Sequence, residues 1–217
     1  MKKLLLLVAF LFATATIYAQ VPNFASVAGN RKLYGYTSFK FRPGINSQET
    51  YTTLQYGIGD SFAAGMDLAT GLGSAYIGVT VRYGAKISPY FNLGLQLTPS
   101  FDLNNSARYS YTTEALYLTG NITRDGRLFY VSDTWFGLNR DSANTYTQWT
   151  YLAYTIQFKN GHSITPMIGE IHSWKFDDRA YLAAGFYYSI KTWSFYVWGN
   201  DFFKKNPRIV FGIEFKL

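Results

Sequence analysis

The chain has 217 residues, a formal net charge of +7 and no cysteine. Aromatic residues make up 19% of it and charged residues only 15%, against ~25% in an ordinary soluble domain. These values exclude a disulfide framework and a lipid anchor attached through an N-terminal cysteine. The basic excess alone does not choose between nucleic acid, anionic lipid and acidic sugar as a partner.

The first element is "MKKLLLLVAFLFATATIYAQ". Lys2 and Lys3 precede an apolar run from Leu4 to about Ala13, and a small-residue exit follows. This is the pattern of a secretory signal peptide, cleaved after Ala19. The apolar run is shorter than the ~20 residues of a membrane-spanning helix. Residues 1–19 are therefore expected to be removed, and 20–217 to form one exported domain of +5 once the two lysines are lost.

Downstream, no window approaches ~18 uninterrupted apolar residues. Period-two alternation recurs instead. It predicts strands at about 33–41, 50–59, 62–71, 75–85, 90–101, 110–122, 127–137, 147–158, 162–172, 180–190, 193–202 and 208–217. In "AYIGVTVRYGA", Ile77, Val79, Val81 and Tyr83 share one face and Gly78, Thr80, Arg82 and Gly84 the other. Two strands are irregular. Glu114 falls on the face of Leu116 and Leu118, while Pro166 interrupts a ladder in which Glu170 joins Ile164 and Ile168. Without these two the count would be ten.

The joins "GDS", "KISP", "TRDG", "KNG" and "KT" are short, and those on the opposite side, such as "RPGINSQET" and "GLNRDSANTYT", are mostly longer. Few charges, many aromatics and no long apolar run are reconciled by an all-β, closed antiparallel transmembrane β-barrel of twelve strands, with short periplasmic turns and longer outer loops. An even count puts both termini on the periplasmic side. The last stretch, "RIVFGIEFKL", alternates to the final residue, as a strand must when it closes a barrel against the first. Its Ile209, Phe211, Ile213, Phe215 and Leu217 are expected to face lipid.

Within that strand, "GIEFKL" resembles the C-terminal signal of Gram-negative outer-membrane barrels, with Gly212, Phe215 and Leu217 in the signal positions. Leu217 stands where that signal usually ends in Phe. The resemblance implies insertion into the cell outer membrane by the barrel-assembly machinery. Aromatics gather at both strand ends, among them Tyr56, Phe62, Tyr90, Phe129 and Trp193 near the short turns and Phe41, Phe101, Trp135, Phe136 and Trp149 near the loops. They are expected to form two interfacial girdles. Basic residues also fall at both ends, which suits outer-membrane lipid headgroups and argues against nucleic acid, whose binding needs a single patch.

The inward face is predicted to carry Asp67, Arg82, Gln96, Asp133, Gln157, Tyr187 and Trp198, together with Asn92, Tyr151, Tyr181, Tyr196, Asn200 and Glu214. A lining rich in Tyr, Asn and Gln and thin in charge suits a narrow channel for small polar solutes. Twelve-stranded channels for oligosaccharides and nucleosides share only strand number and size with this chain. A closed structural or partner-binding barrel is the first alternative. An outer-membrane lipid-acting enzyme is the second, because a twelve-stranded phospholipase family uses a His/Ser pair on its lipid-facing surface. His162 and His172 are the only histidines, and His172 would need a hydroxyl from a neighbouring strand, such as Ser132, Thr134 or Ser142. No cofactor is implied, and two isolated histidines without cysteine give no metal site.

Overall fold

The structure is a computed structural model that describes Ala25 and residues 27–71, 73–139, 145–174 and 177–217. Within these residues the chain forms twelve antiparallel strands: β1 (Leu33–Arg42), β2 (Ile45–Gly57), β3 (Phe62–Gly71), β4 (Ser74–Ser88), β5 (Phe91–Asp102), β6 (Arg108–Asn121), β7 (Leu128–Asn139), β8 (Thr145–Tyr154, resuming as Ile156–Gln157), β9 (His162–Trp174), β10 (Asp177–Ile190), β11 (Trp193–Asn200) and β12 (Arg208–Lys216). Each pairs with its sequence neighbours, and β12 pairs with β1, which closes the sheet. The seam runs from Tyr34 opposite Lys216 to Phe41 opposite Ile209. It extends to the last residue: Leu33 N–H donates to the Leu217 carbonyl at 3.0 Å, and Leu217 N–H to the Leu33 carbonyl at 2.8 Å.

Burial is inverted relative to a soluble protein. Along β2 to β5 the exposed residues are Leu54, Met66, Leu68, Val79, Val81, Leu95 and Leu97, and the buried ones are Thr53, Gln55, Asp67, Thr80, Arg82 and Gln96. In water such a surface would be a continuous apolar liability. Around a barrel in a bilayer it is the expected outer wall, with every backbone group paired within the closed sheet.

The two irregular strands are accommodated. Pro166 lies within β9 opposite Phe186, and on its other side β8 breaks at Thr155. Proline cannot donate to a ladder. Pairing to β8 resumes in the same register, with Ile164 opposite Ile156 and Met167 opposite Ala153, and the Thr155 and Thr165 hydroxyls sit 3.1 Å apart. Glu114 is on the outward face between Leu97 and Phe136, and Glu170 is outward and exposed, opposite Thr150 and Leu182.

Several joins on the outer side are shorter than the sequence suggests, because the strands run on. β2 begins at Ile45, which leaves only residues 43 and 44 between it and β1. The "TRDG" turn on the other side is held by Asp125, which accepts from the Thr123 hydroxyl at 2.6 Å and the Arg127 N–H at 3.1 Å. The Thr123 hydroxyl, and then the Arg127 amide, hold this carboxyl below its ordinary range.

Candidate functional site: the barrel lumen

Alternation sends every second residue of each strand into the barrel. Six of the seven predicted lining residues are buried inside: Asp67, Arg82, Gln96, Asp133, Tyr187 and Trp198. Gln157 lies at the short-turn end of β8 and is exposed at the mouth. Tyr151, Tyr196, Asn200 and Glu214 are also buried. Phe129, Trp135 and Trp149, assigned to the girdles from sequence, turn inward instead. Phe129 is buried, Trp135 meets the Tyr117 ring edge-on at 5.4 Å, and Trp149 meets Tyr151 at 6.2 Å.

The lumen has two dissimilar walls. On β2 to β5 it is polar. Asp67 accepts hydrogen bonds from the Tyr51 and Thr53 hydroxyls. The Thr80 and Thr98 hydroxyls lie 2.9 Å apart, and Gln96 donates to Thr98 at 3.1 Å while accepting from the Tyr117 hydroxyl at 3.0 Å. The Arg82 guanidinium sits 4.3 Å from the centroid of the Tyr117 ring, within cation–π range. On β8, β10 and β11 the wall is aromatic. Tyr151 and Trp198 have centroids 4.5 Å apart, Tyr187 and Tyr196 are 5.0 Å apart, and the Trp198 indole N–H points at the Tyr187 hydroxyl at 3.4 Å. Acidic groups are buried around the lumen: Asp67 on β3 in the polar wall, and Asp133 on β7 and Glu214 on β12, the strands flanking the aromatic wall.

Several buried polar atoms have no hydrogen-bonding side chain or backbone partner, among them Arg82 Nε and Nη2, Gln55 Oε1, Asp133 Oδ1 and the Tyr151 hydroxyl. Buried polar groups in folded proteins are nearly always satisfied. In a barrel lumen the satisfying partner is water or a polar solute.

At the outer end the lumen opens into a cup of about 290 Å³, lined by Lys40, Glu49, Tyr51, Ala69, Ser74, Tyr76 and Tyr111 among others. Tyr76 and Tyr111 meet edge to face at 5.3 Å. Ion pairs bind the rim: Arg42 to Asp201 at 2.8 Å and Arg208 to Glu49 at 3.5 Å. At the short-turn end, Ala25, Val27 and Gly29, which precede β1, lie against the inner wall. Ala25 is 1% exposed and packs with Ala115 and Tyr117 on β6.

The lipid-facing surface carries the groups of the enzyme alternative. His172 on β9 stands opposite Gln148 on β8, which stands opposite Thr134 on β7. Gln148 donates to the Ser132 and Thr150 hydroxyls at 3.4 Å each. Ser132 and Thr134 are thus two strands from His172, roughly 10 Å across the sheet, with an amide between. Ser142 lies outside the described residues. His162, at the β9 start, shares a hydrogen bond of 2.6 Å with the Tyr188 hydroxyl. Among the described residues no group of three or more His, Cys, Asp or Glu has metal-site geometry.

No protein-family model matches the chain, and no curated protein matches it. Solved structures do. It is similar to a structure described as "KdgM porin", with 13% identity, TM-score 0.60, and coverage of 84% of this chain and 98% of that one. A second structure, "KdgM porin in complex with disordered oligogalacturonate", gives TM-score 0.63 at 13% identity over 84% and 98% of the two chains. The NanC porin gives 0.58 at 14% identity over 84% and 100%. At such identities the likeness is one of fold. The chain is a closed, twelve-stranded antiparallel transmembrane β-barrel that shares its fold with these porins.

Proposed function

We propose that this barrel is a narrow channel for passive passage of small polar solutes. Its route begins with export on the signal peptide of residues 1–19. Insertion through the barrel-assembly machinery then follows, with Gly212, Phe215 and Leu217 as the recognised positions. The observation that carries the reading is the two-sided lumen. A sugar ring presents hydroxyls at its edge and C–H groups on its faces. Thr53, Gln55, Asp67, Arg82 and Gln96 offer hydrogen bonds to the first; Tyr151, Tyr187, Tyr196 and Trp198 offer stacking surfaces to the second.

Charge narrows the class. The KdgM porin is described in complex with disordered oligogalacturonate, a polyanion. In the present lumen, Arg82 is set among three buried acids, Asp67, Asp133 and Glu214. At the outer mouth Lys40, Arg42 and Arg208 stand with Glu49. Groups of both signs along the route favour neutral sugars and similar solutes over polyanions, which a lining of one basic sign would suit.

The test combines conductance of the refolded protein in a planar bilayer with swelling of liposomes in neutral and acidic sugars. Discrete current steps, with faster swelling in neutral sugar than in a sugar acid of the same size, support the reading. A folded barrel that gives neither refutes it. The second reading, a closed barrel working through its loops or partners, is favoured by one feature: the short-turn end is occupied by the segment around Ala25.

A further inference from the structure

Three inward glycines lie at the short-turn end: Gly57 on β2, Gly84 on β4 and Gly94 on β5, the last two directly opposite each other. Each would carry a side chain into the lumen. None has room for one, because the chain's own N-terminal segment occupies the space. A Cβ at Gly84 would stand 2.6 Å from the Ala25 carbonyl oxygen and 3.1 Å from the Val27 nitrogen; one at Gly94 would stand 2.8 Å from Ala25 Cα. At Gly57 it would meet the Gly29 carbonyl oxygen at 1.7 Å. The glycines form a trough in the barrel wall, and the backbone of Ala25, Val27 and Gly29 lies in it.

The segment enters through a built turn. Gly29 and Arg31 take positive φ values of 90° and 57°, which reverse the chain ahead of β1. Arg31 N–H donates to the Gly57 carbonyl at 3.0 Å, Gly57 N–H to the Lys32 carbonyl at 2.9 Å, and Lys32 N–H to the Gly29 carbonyl at 3.1 Å. These bonds hold the hinge. Of the described residues beyond it, Ala25, Val27 and Ala28 are small, apolar and buried. Arg82, two residues along β4 from Gly84, and Gln96, two along β5 from Gly94, continue toward the outer side.

We propose that the segment of Ala25 and residues 27–29 is a withdrawable plug of the periplasmic mouth, seated in the Gly57/Gly84/Gly94 trough, and that passage of solute requires it to leave. This regulation rests on the channel reading above. The hinge fixes one end, and the part that blocks the lumen is held by small apolar contacts, which a short excursion breaks. The docked state is the closed state.

Because the chain has no cysteine, Ala25→Cys places one thiol on the plug. In the refolded barrel, a membrane-impermeant maleimide should label this thiol roughly tenfold more slowly than the thiol of Arg124→Cys, an exposed turn position. Deleting residues 20–28 should raise the single-channel conductance several-fold, and Gly94→Val, which collides with Ala25, should both speed labelling of Ala25→Cys and lengthen open times. Equal labelling at the two positions would overturn the docking. A protected Ala25→Cys thiol, in a barrel that conducts equally with and without residues 20–28, would overturn the gating and leave the channel standing. Silence from both barrels would overturn gating and channel together, while protection of the thiol still reported the docked segment.

Discussion

Arg82→Gln is the sharpest perturbation of the lumen. The guanidinium is a buried cation over the Tyr117 ring, with Nε and Nη2 lacking side-chain or backbone partners. An ion passing within ~5 Å of it in a water-like medium feels about 0.8 kcal/mol. Neutralisation raises the energy of a passing anion and lowers that of a cation, a combined change of about 1.6 kcal/mol. That is somewhat more than tenfold in the anion-to-cation permeability ratio. The low dielectric of the wall enlarges the effect, and mobile salt in the lumen reduces it. Roughly tenfold is therefore the expected change, read as a cation-selective shift of the reversal potential across a KCl gradient. Asp67→Asn should move the potential the opposite way. Gel mobility before and after heating would confirm that both variants are folded. An unchanged reversal potential in a folded, conducting Arg82→Gln barrel would refute the placement of Arg82 on the ion path.

Three other outcomes follow from the structure. Glu170→Leu removes an outward, exposed carboxylate from the lipid-facing wall and should stabilise the barrel in lipid vesicles by about 1 kcal/mol in a urea titration; a loss of stability would show that the carboxylate has a structural partner. Deleting Phe215–Leu217 removes the seam contacts with Tyr34, Gly35 and Leu33. With unsatisfied groups costing several kcal/mol each in lipid, the heat-modifiable folded band should be absent from gels after refolding. Thr123→Ala removes the main cause of the low Asp125 pKa, so an NMR titration should find that carboxyl moved up toward its ordinary range. Because the folded pKa is depressed, the turn's contribution is present at neutral pH and lost as pH falls through the lowered value.

The strands were legible in the sequence wherever one face meets lipid and the other the lumen, since that contrast imposes the period of two. Where neither face meets lipid the contrast disappears. After Ile45, "NSQE", residues 46–49, is polar throughout, so the sequence carries no alternation from which to read the start of β2 at Ile45. The inward turn of Trp135 and Trp149 escaped for a related reason. Trp149 stands between the polar outward residues Gln148 and Thr150, and Trp135 between outward Thr134 and Phe136, so the contrast that marks the lipid face is absent at the first and one-sided at the second, and aromatic character is a poor guide. Asp67, Arg82, Gln96 and Tyr187 were readable as inward because each stands between large outward residues, whereas Asp133 stands between Ser132 and Thr134, and Trp198 between Val197 and Gly199. The sorting of the lining into a polar and an aromatic wall was not readable. It depends on which strands face each other across the lumen, a property of closure rather than of any one strand.

The trough is the case in which sequence held the signal without its meaning. Glycine within a strand costs up to ~1 kcal/mol relative to alanine, and a barrel that merely had to fill its interior would place larger residues at Gly84 and Gly94. Their cost is offset only if a backbone must approach the wall, as that of Ala25 does. The two terms separate in one experiment. In a barrel lacking residues 20–28, Gly94→Ala should raise unfolding stability by about 0.5–1 kcal/mol, because it restricts the unfolded chain and meets no obstacle in the folded one. In the full chain the same methyl would lie 2.8 Å from Ala25 Cα, and the substitution should instead lower stability or expel the segment. A change of the same sign and size in both backgrounds would mean that the glycines are indifferent to the segment, and that the trough is not its seat.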